Sequence, residues 1–223
     1  MSIAPVNINI DRHASGNTRI SGTIGANRHD VNVWKGPTEG DAYVEGRQNG
    51  EPTTLRINSY FSDNGHGVLG RVAGVPFKGE LVRKADGDVA LSLNKATLDI
   101  DVSPEGLKAT GTQVKSTGSV VNAEGDETLT LLADGRQIKM TVDRQPDGDI
   151  EIRGTSGDGP FRCTMQRSGN QGDLRVKGTL PESLELLPVM WELYGNDSVQ
   201  PPAQPLTMGA AATLSAFWDN HLG

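Results

Sequence analysis

Pro76-Phe77-Lys78-Gly79-Glu80-Leu81-Val82-Arg83, followed after a turn by Gly87-Asp88-Val89-Ala90-Leu91, returns 84 residues later as Pro160-Phe161-Arg162-Cys163-Thr164-Met165-Gln166-Arg167 and, after a slightly longer turn, Gly172-Asp173-Leu174-Arg175-Val176. A period of this kind is read before anything else, because it sets the architecture. Further upstream the correspondence resumes at an offset of 89, with Gly22-Thr23 on Gly111-Thr112, Val31 on Val120 and Gly36 on Gly125. The change from 89 to 84 implies five residues lost between the anchors, and the loop around Asn49-Gly50-Glu51-Pro52 is the natural place, since surface loops tolerate deletion. The expectation is an internal duplication, with copies over about 6–95 and 98–180.

Within both copies the residues alternate. Val6-Asn7-Ile8-Asn9-Ile10, Leu98-Asp99-Ile100-Asp101-Val102 and Ile138-Lys139-Met140-Thr141-Val142 put an apolar side chain at every second position. A period of two gives a strand one dry and one wet face, as antiparallel sheets require. Asn49-Gly50, Asn64-Gly65, Asp86-Gly87, Asp134-Gly135, Asp147-Gly148 and Asp158-Gly159 separate such runs and supply the positive φ of tight hairpins. The fold class expected is all-β: an antiparallel meander of 13 to 16 strands over residues 1–180, a pseudo-twofold sandwich or barrel, with a short helical segment at 181–223.

Composition agrees. Apolar residues make up 35% and aromatics 4%, while 28 glycines mark a turn-rich chain. The net charge of −7 and the lack of a basic stripe disfavour nucleic acid as a partner. Residues 181–223 contain Glu182, Glu185, Glu192, Asp197 and Asp219 but no Lys or Arg, so the tail alone carries −5. One cysteine excludes an internal disulfide and suits a reducing compartment. No secretory leader and no 18-residue apolar run are visible, which sets the expectation of a cytoplasmic protein without a membrane span, signal-independent export remaining open.

At Thr179 the pattern changes. Thr179-Leu180-Pro181-Glu182 has the form of a capping box. Leu184, Leu187, Trp191 and Tyr194 then share one helical face, Pro188 predicts a kink or break, and Gly195 a C-terminal cap. A linker is expected at Asn196–Pro205 and a second helix at Met208–His221, with Leu214, Phe217, Trp218 and Leu222 on one face. A first helix so apolar must be covered, either by docking over an open end of the β body or by packing on another subunit.

No catalytic constellation emerges. His13, His29, His66 and His221 lack metal-ligand spacing, and His29 and His66 fall in expected loops. Cys163 takes the inward phase of Phe161 and Met165. The Asp-Gly-Asp turns lack the alternating acids of a calcium loop. Asp99, Asp101 and Glu151 take the outward phase. Trp34, Tyr43, Tyr60 and Phe61 are the rings that a sugar-binding face would use, and Trp34 lies out of phase with Val31 and Val33. No metal and no cofactor are implied. The functional expectation is a non-catalytic β scaffold that binds a protein partner or small ligand and self-associates through its tail, with Trp191, Tyr194, Phe217 and Trp218 as partner-contact or capping residues. The alternatives are a hydrolase or isomerase with its site at a barrel mouth, and an exported bacterial effector or surface-associated protein.

Overall fold

The computed structural model describes residues 2–36, 41–62, 65–83, 88–94, 96–103, 106–121, 126–133, 135–169, 172–192 and 208–222. Among them, sixteen strands follow one another: β1 (Ile3–Arg12), β2 (Thr18–Ile24), β3 (Asn27–Lys35), β4 (Ala42–Gln48), β5 (Glu51–Ser62), β6 (Gly65–Val72), β7 (Val75–Arg83), β8 (Val89–Leu93), β9 (Ala96–Ser103), β10 (Gly106–Gly111), β11 (Val114–Val121), β12 (Glu127–Ala133), β13 (Arg136–Arg144), β14 (Ile150–Ser156), β15 (Gly159–Ser168) and β16 (Asp173–Pro181). Each pairs antiparallel with its neighbours in the chain, and β16 returns to β1 from Ile3↔Pro181 to Ile10↔Leu174. The ladder therefore closes on itself and leaves no edge strand to template a second chain.

The alternation seen in the sequence fixes the faces. β1 buries Ala4, Val6, Ile8 and Ile10 and exposes Pro5, Asn7 and Asp11. β13 buries Ile138, Met140 and Val142 and turns Gln137 and Lys139 outward. The wet outer rows are the reverse of a lipid-facing barrel, whose apolar band points out. No helix among the described residues is long and apolar enough to cross a membrane.

Asn49 and Gly50 have φ of 55° and 81°, and Ala73 and Gly74 have 47° and 83°, the double left-handed geometry of two-residue hairpins. The two stretches of the repeat lie in β7 and β15, eight strands apart, with Phe77 and Phe161 both buried. The length difference between the halves does not sit at Asn49-Gly50. That turn spans two residues between β4 and β5, as does its counterpart between β12 and β13, and both halves take fourteen residues from the start of that next strand to the start of the one after it.

The tail departs from the sequence expectation. Thr179 is not a cap: it belongs to β16, where its Oγ1 accepts from the Arg162 amide at 3.1 Å. Ladder pairing with β1 carries the strand through to Pro181. Over its described residues, the helix expected at Leu184–Tyr194 is broken into a 3-10 turn at Glu182–Leu184 and a four-residue α1 (Leu187–Met190) that runs into a π turn at 191–192. Pro188 divides the segment and sits in the first turn of α1, where its missing N–H leaves no bond unmade. Tyr194, Gly195 and the expected linker lie outside the described residues. The second helix is present as α2 (Met208–Leu222).

The described part of the tail neither covers an end of the β body nor projects from it. From Met208 to Trp218 every described side chain of α2 is buried, and the helix packs on β7, β9, β10, β11 and β12 as well as on α1. Phe217 and Trp218 are 0% exposed, and Trp218 meets inward-facing Phe77 edge-on at 4.6 Å between ring centroids. The sheet is wrapped around its own C-terminal segment. That placement explains why the tail is apolar nearly all round.

Candidate functional site

Acidic residues of the tail fasten it to β1–β3. Glu192, fully buried, meets Arg12 Nη2 at 2.9 Å and accepts from Thr18 Oγ1 at 2.8 Å. Glu185 accepts from Asn27 Nδ2 at 2.8 Å, and its other oxygen lies 3.0 Å from His29 Nε2, close but not aligned as a hydrogen bond. His29 Nδ1 lies 2.9 Å from the Gln48 side-chain amide. Thr53 Oγ1 donates to Gln48 Oε1 at 3.1 Å and extends the chain to β5. Ser2 caps Glu182 through its hydroxyl (2.6 Å) and its amide (3.1 Å), which holds the Glu182 carboxyl below its ordinary value. Three of the five acids of the tail, Glu182, Glu185 and Glu192, are thus spent on internal attachment.

His29 is not a loop residue. It lies in β3, 2% exposed, and His66 falls in β6, its side chain outside the described ones. Cys163 is fully buried, and burial pushes its thiol up to about 12, leaving no thiolate near neutral pH. Trp191 is 8% exposed with the Arg144 guanidinium 5.6 Å from its ring, so of the expected contact residues Trp191, Phe217 and Trp218 all pack within the protein's own body. Among the described residues no group of three or more His, Cys, Asp or Glu could hold a metal ion. An interior cavity lined by Gln48, Thr53, Val72, Met190 and Trp218 measures about 20 Å³, room for one water.

Space for a ligand lies on the outer face of β2–β6. Register brings Trp34 directly opposite Tyr43 on β4, Tyr43 opposite Arg56 on β5, and Arg56 opposite Leu69 on β6. The Trp34 and Tyr43 rings stack at 6.1 Å with 22° between planes. Leu69 beside them is 54% exposed, the most exposed large apolar side chain described. With Glu45, Thr54 and Gly70 they line a groove of about 310 Å³. Toward the hairpin ends a second groove, about 610 Å³, is lined by Arg19, Arg28, Asp30, Asn32, Gly46, Arg47 and Gly50. Asn32 and Glu45 face each other across β3 and β4 and stand between the two.

Close backbone approach underlies both grooves. A Cβ on Gly46 would fall 2.1 Å from the Asp30 carbonyl oxygen, and one on Gly70 1.9 Å from that of Thr54. Only glycine allows adjacent strands so near, and each glycine lines one of the depressions.

Comparison with known protein families, with curated proteins and with solved structures finds no match. The chemistry of the outer face therefore rests on its own residues. Arg19 is held by Asp30 through two bonds of 3.0 and 3.2 Å, which raise its pKa above the ordinary value. Arg47 Nη1 donates to the Gly50 carbonyl at 2.5 Å. The guanidinium of Arg28 has no partner among the described residues. On the other half of the molecule two outward arginines are paired: Arg153 with Asp143 and Glu151, and Arg162 with Glu151 at 2.8 Å. Between residues 78 and 190 the sequence has one aromatic side chain, Phe161, and it is buried.

Sequence reasoning placed Trp34 and Tyr43 among the candidate rings but did not bring them together. The side chains of Tyr60 and Phe61 lie outside the described ones. The arginine groove was missed, because Arg19, Arg28 and Arg47 converge only once the register of β2, β3 and β4 is known.

Proposed function

We propose that the protein is a non-catalytic binding module: a packed β scaffold that takes its ligand on the outer face of β3–β6. The observation that carries this reading is the stacked, half-buried pair Trp34 and Tyr43 beside exposed Leu69, on a face that is otherwise polar. Rings held this way offer a flat apolar surface at low entropic cost. Glu45, Thr54 and Arg56 surround them with acceptors and donors. The pairing suits a ligand with an apolar ring face and hydroxyls on its rim, which is the chemistry of a carbohydrate. The burial of α2 within the sheet, with Phe217 and Trp218 fully enclosed, supports a binding role over an enzyme with a site in that interior. The lone free thiol Cys163 supports the cytoplasmic expectation, which we retain as part of the proposal.

Affinity electrophoresis through gels cast with a panel of neutral and acidic polysaccharides tests the reading. At least one polymer should retard the wild-type protein, and Trp34→Ala should abolish the retardation while leaving the thermal unfolding temperature within a few degrees. If Trp34→Ala migrates as wild type does in every gel, the ligand face is wrongly assigned.

A further inference from the structure

Resting on that ligand face, we infer that the adjoining groove of Arg19, Arg28 and Arg47 is an oxyanion subsite, and that the ligand is an acidic glycan whose carboxylate or sulfate it seats. The protein is acidic overall, at −7, yet the groove is lined by three arginines, Arg19, Arg28 and Arg47, against one carboxylate, Asp30. A local excess of positive charge on a negative body concentrates anions where it stands. The groove is also built unevenly. Asp30 fixes the Arg19 guanidinium as one wall, and the Gly50 carbonyl tethers Arg47. Arg28 stands between them in sequence and on the same face, with its fork unmatched among the described residues. A carboxylate or sulfate is the planar or tetrahedral acceptor that such a fork takes in paired bonds.

Charge spacing selects the class of ligand. Asn32 and Glu45 lie between the arginine groove and the aromatic groove, and Asp30 is inside the former. A nucleic-acid strand crossing both grooves would bring a phosphate at every nucleotide and set one against the Glu45 carboxylate. A sugar chain brings hydroxyls there instead, and carboxylates accept hydrogen bonds from hydroxyls. The arrangement fits a polymer with sparse anions and many hydroxyls: one ring on Trp34 and Tyr43, one oxyanion at Arg28 and Arg47.

The test compares polygalacturonate with its methyl-esterified form, the same sugar with and without charge, alongside dextran sulfate and a thymidine oligonucleotide. The full-length protein is used with Trp34→Ala, Arg28→Gln, Arg28→Lys and Arg47→Gln, each checked for a melting temperature within a few degrees of wild type. Polygalacturonate or dextran sulfate should retard the wild-type protein, the two polymers separating carboxylate from sulfate as the group recognised. Arg28→Gln and Arg47→Gln should each weaken that binding about tenfold or more, and Arg28→Lys should restore only part of it. Equal retardation by the methyl ester, with both Gln variants unchanged and Trp34→Ala defective, would overturn the oxyanion subsite and leave the ligand face standing. Loss in the Gln variants with Trp34→Ala unaffected would sustain the subsite and sink the aromatic reading. Tighter binding of the oligonucleotide than of either acidic glycan, or no binding of any probe, overturns the inference.

Discussion

Replacing Trp218 with Ala tests the feature on which the whole architecture depends, the enclosure of the tail. An aromatic side chain buries about 150–250 Å² on folding. At about 25 cal/mol per Å² that is about 4–6 kcal/mol, close to the 3–5 kcal/mol typical of Trp-to-Ala changes in cores. Trp218 is 0% exposed and loses its edge contact with Phe77, so the expected cost is about 4 kcal/mol. In urea, with a slope near 2 kcal/mol/M, the midpoint should fall by about 2 M. Trp34→Ala is the internal comparison: it removes a ring of the same size from the outer face, where a cross-strand pair contributes at most about 1 kcal/mol. Trp218→Phe keeps most of the apolar volume and removes an indole N–H that has no partner among the described residues, and it should cost under about 1.5 kcal/mol. A midpoint shift for Trp218→Ala no larger than that for Trp34→Ala would refute the enclosed tail.

Glu192→Ala strands Arg12 beside a buried gap and should destabilise by about 3 kcal/mol, and a double-mutant cycle with Arg12→Ala should return a coupling well above that of an exposed pair. Cys163, with its thiol pushed up to about 12, should resist an aromatic disulfide reagent at pH 8 until urea unfolds the protein; rapid native labelling would contradict its burial. Glu182 titrates below its ordinary value because Ser2 bonds its charged form, so its contribution is present above the unfolded carboxylate pKa and is lost as pH falls through the lower folded value. Ser2→Ala should accordingly lower stability at neutral pH, by under about 1 kcal/mol for so exposed a pair, and the difference from wild type should close in acid.

Much of the fold was legible because it is written in local periods. Val6, Ile8 and Ile10 announce a half-buried strand without reference to any other residue, and Leu214, Phe217 and Trp218 announce a helix. The failures share a cause as well. Thr179-x-x-Glu182 satisfies the capping pattern, but β1 offers that segment a ladder, and pairing prevails over a local signal. His29 looked like a loop residue because nothing near it in sequence explains a buried imidazole; its partners are Gln48 and, from the tail, Glu185. The candidate site was half legible. Trp34 showed itself by its phase, whereas its pairing with Tyr43 and the convergence of three arginines depend on register across strands, which no single stretch encodes.

The closed ladder around the tail constrains the order of assembly. β16 is complete before α2 has been synthesised, and at 5–20 residues per second residues 182–222 follow over about 2–8 s. Pairing of β1 with β16 in that interval would enclose a centre that α2 has yet to fill. Until that pairing forms, β1 and β16 are open edges that another chain could extend, so the seam between them is where this fold is exposed to mispairing during synthesis.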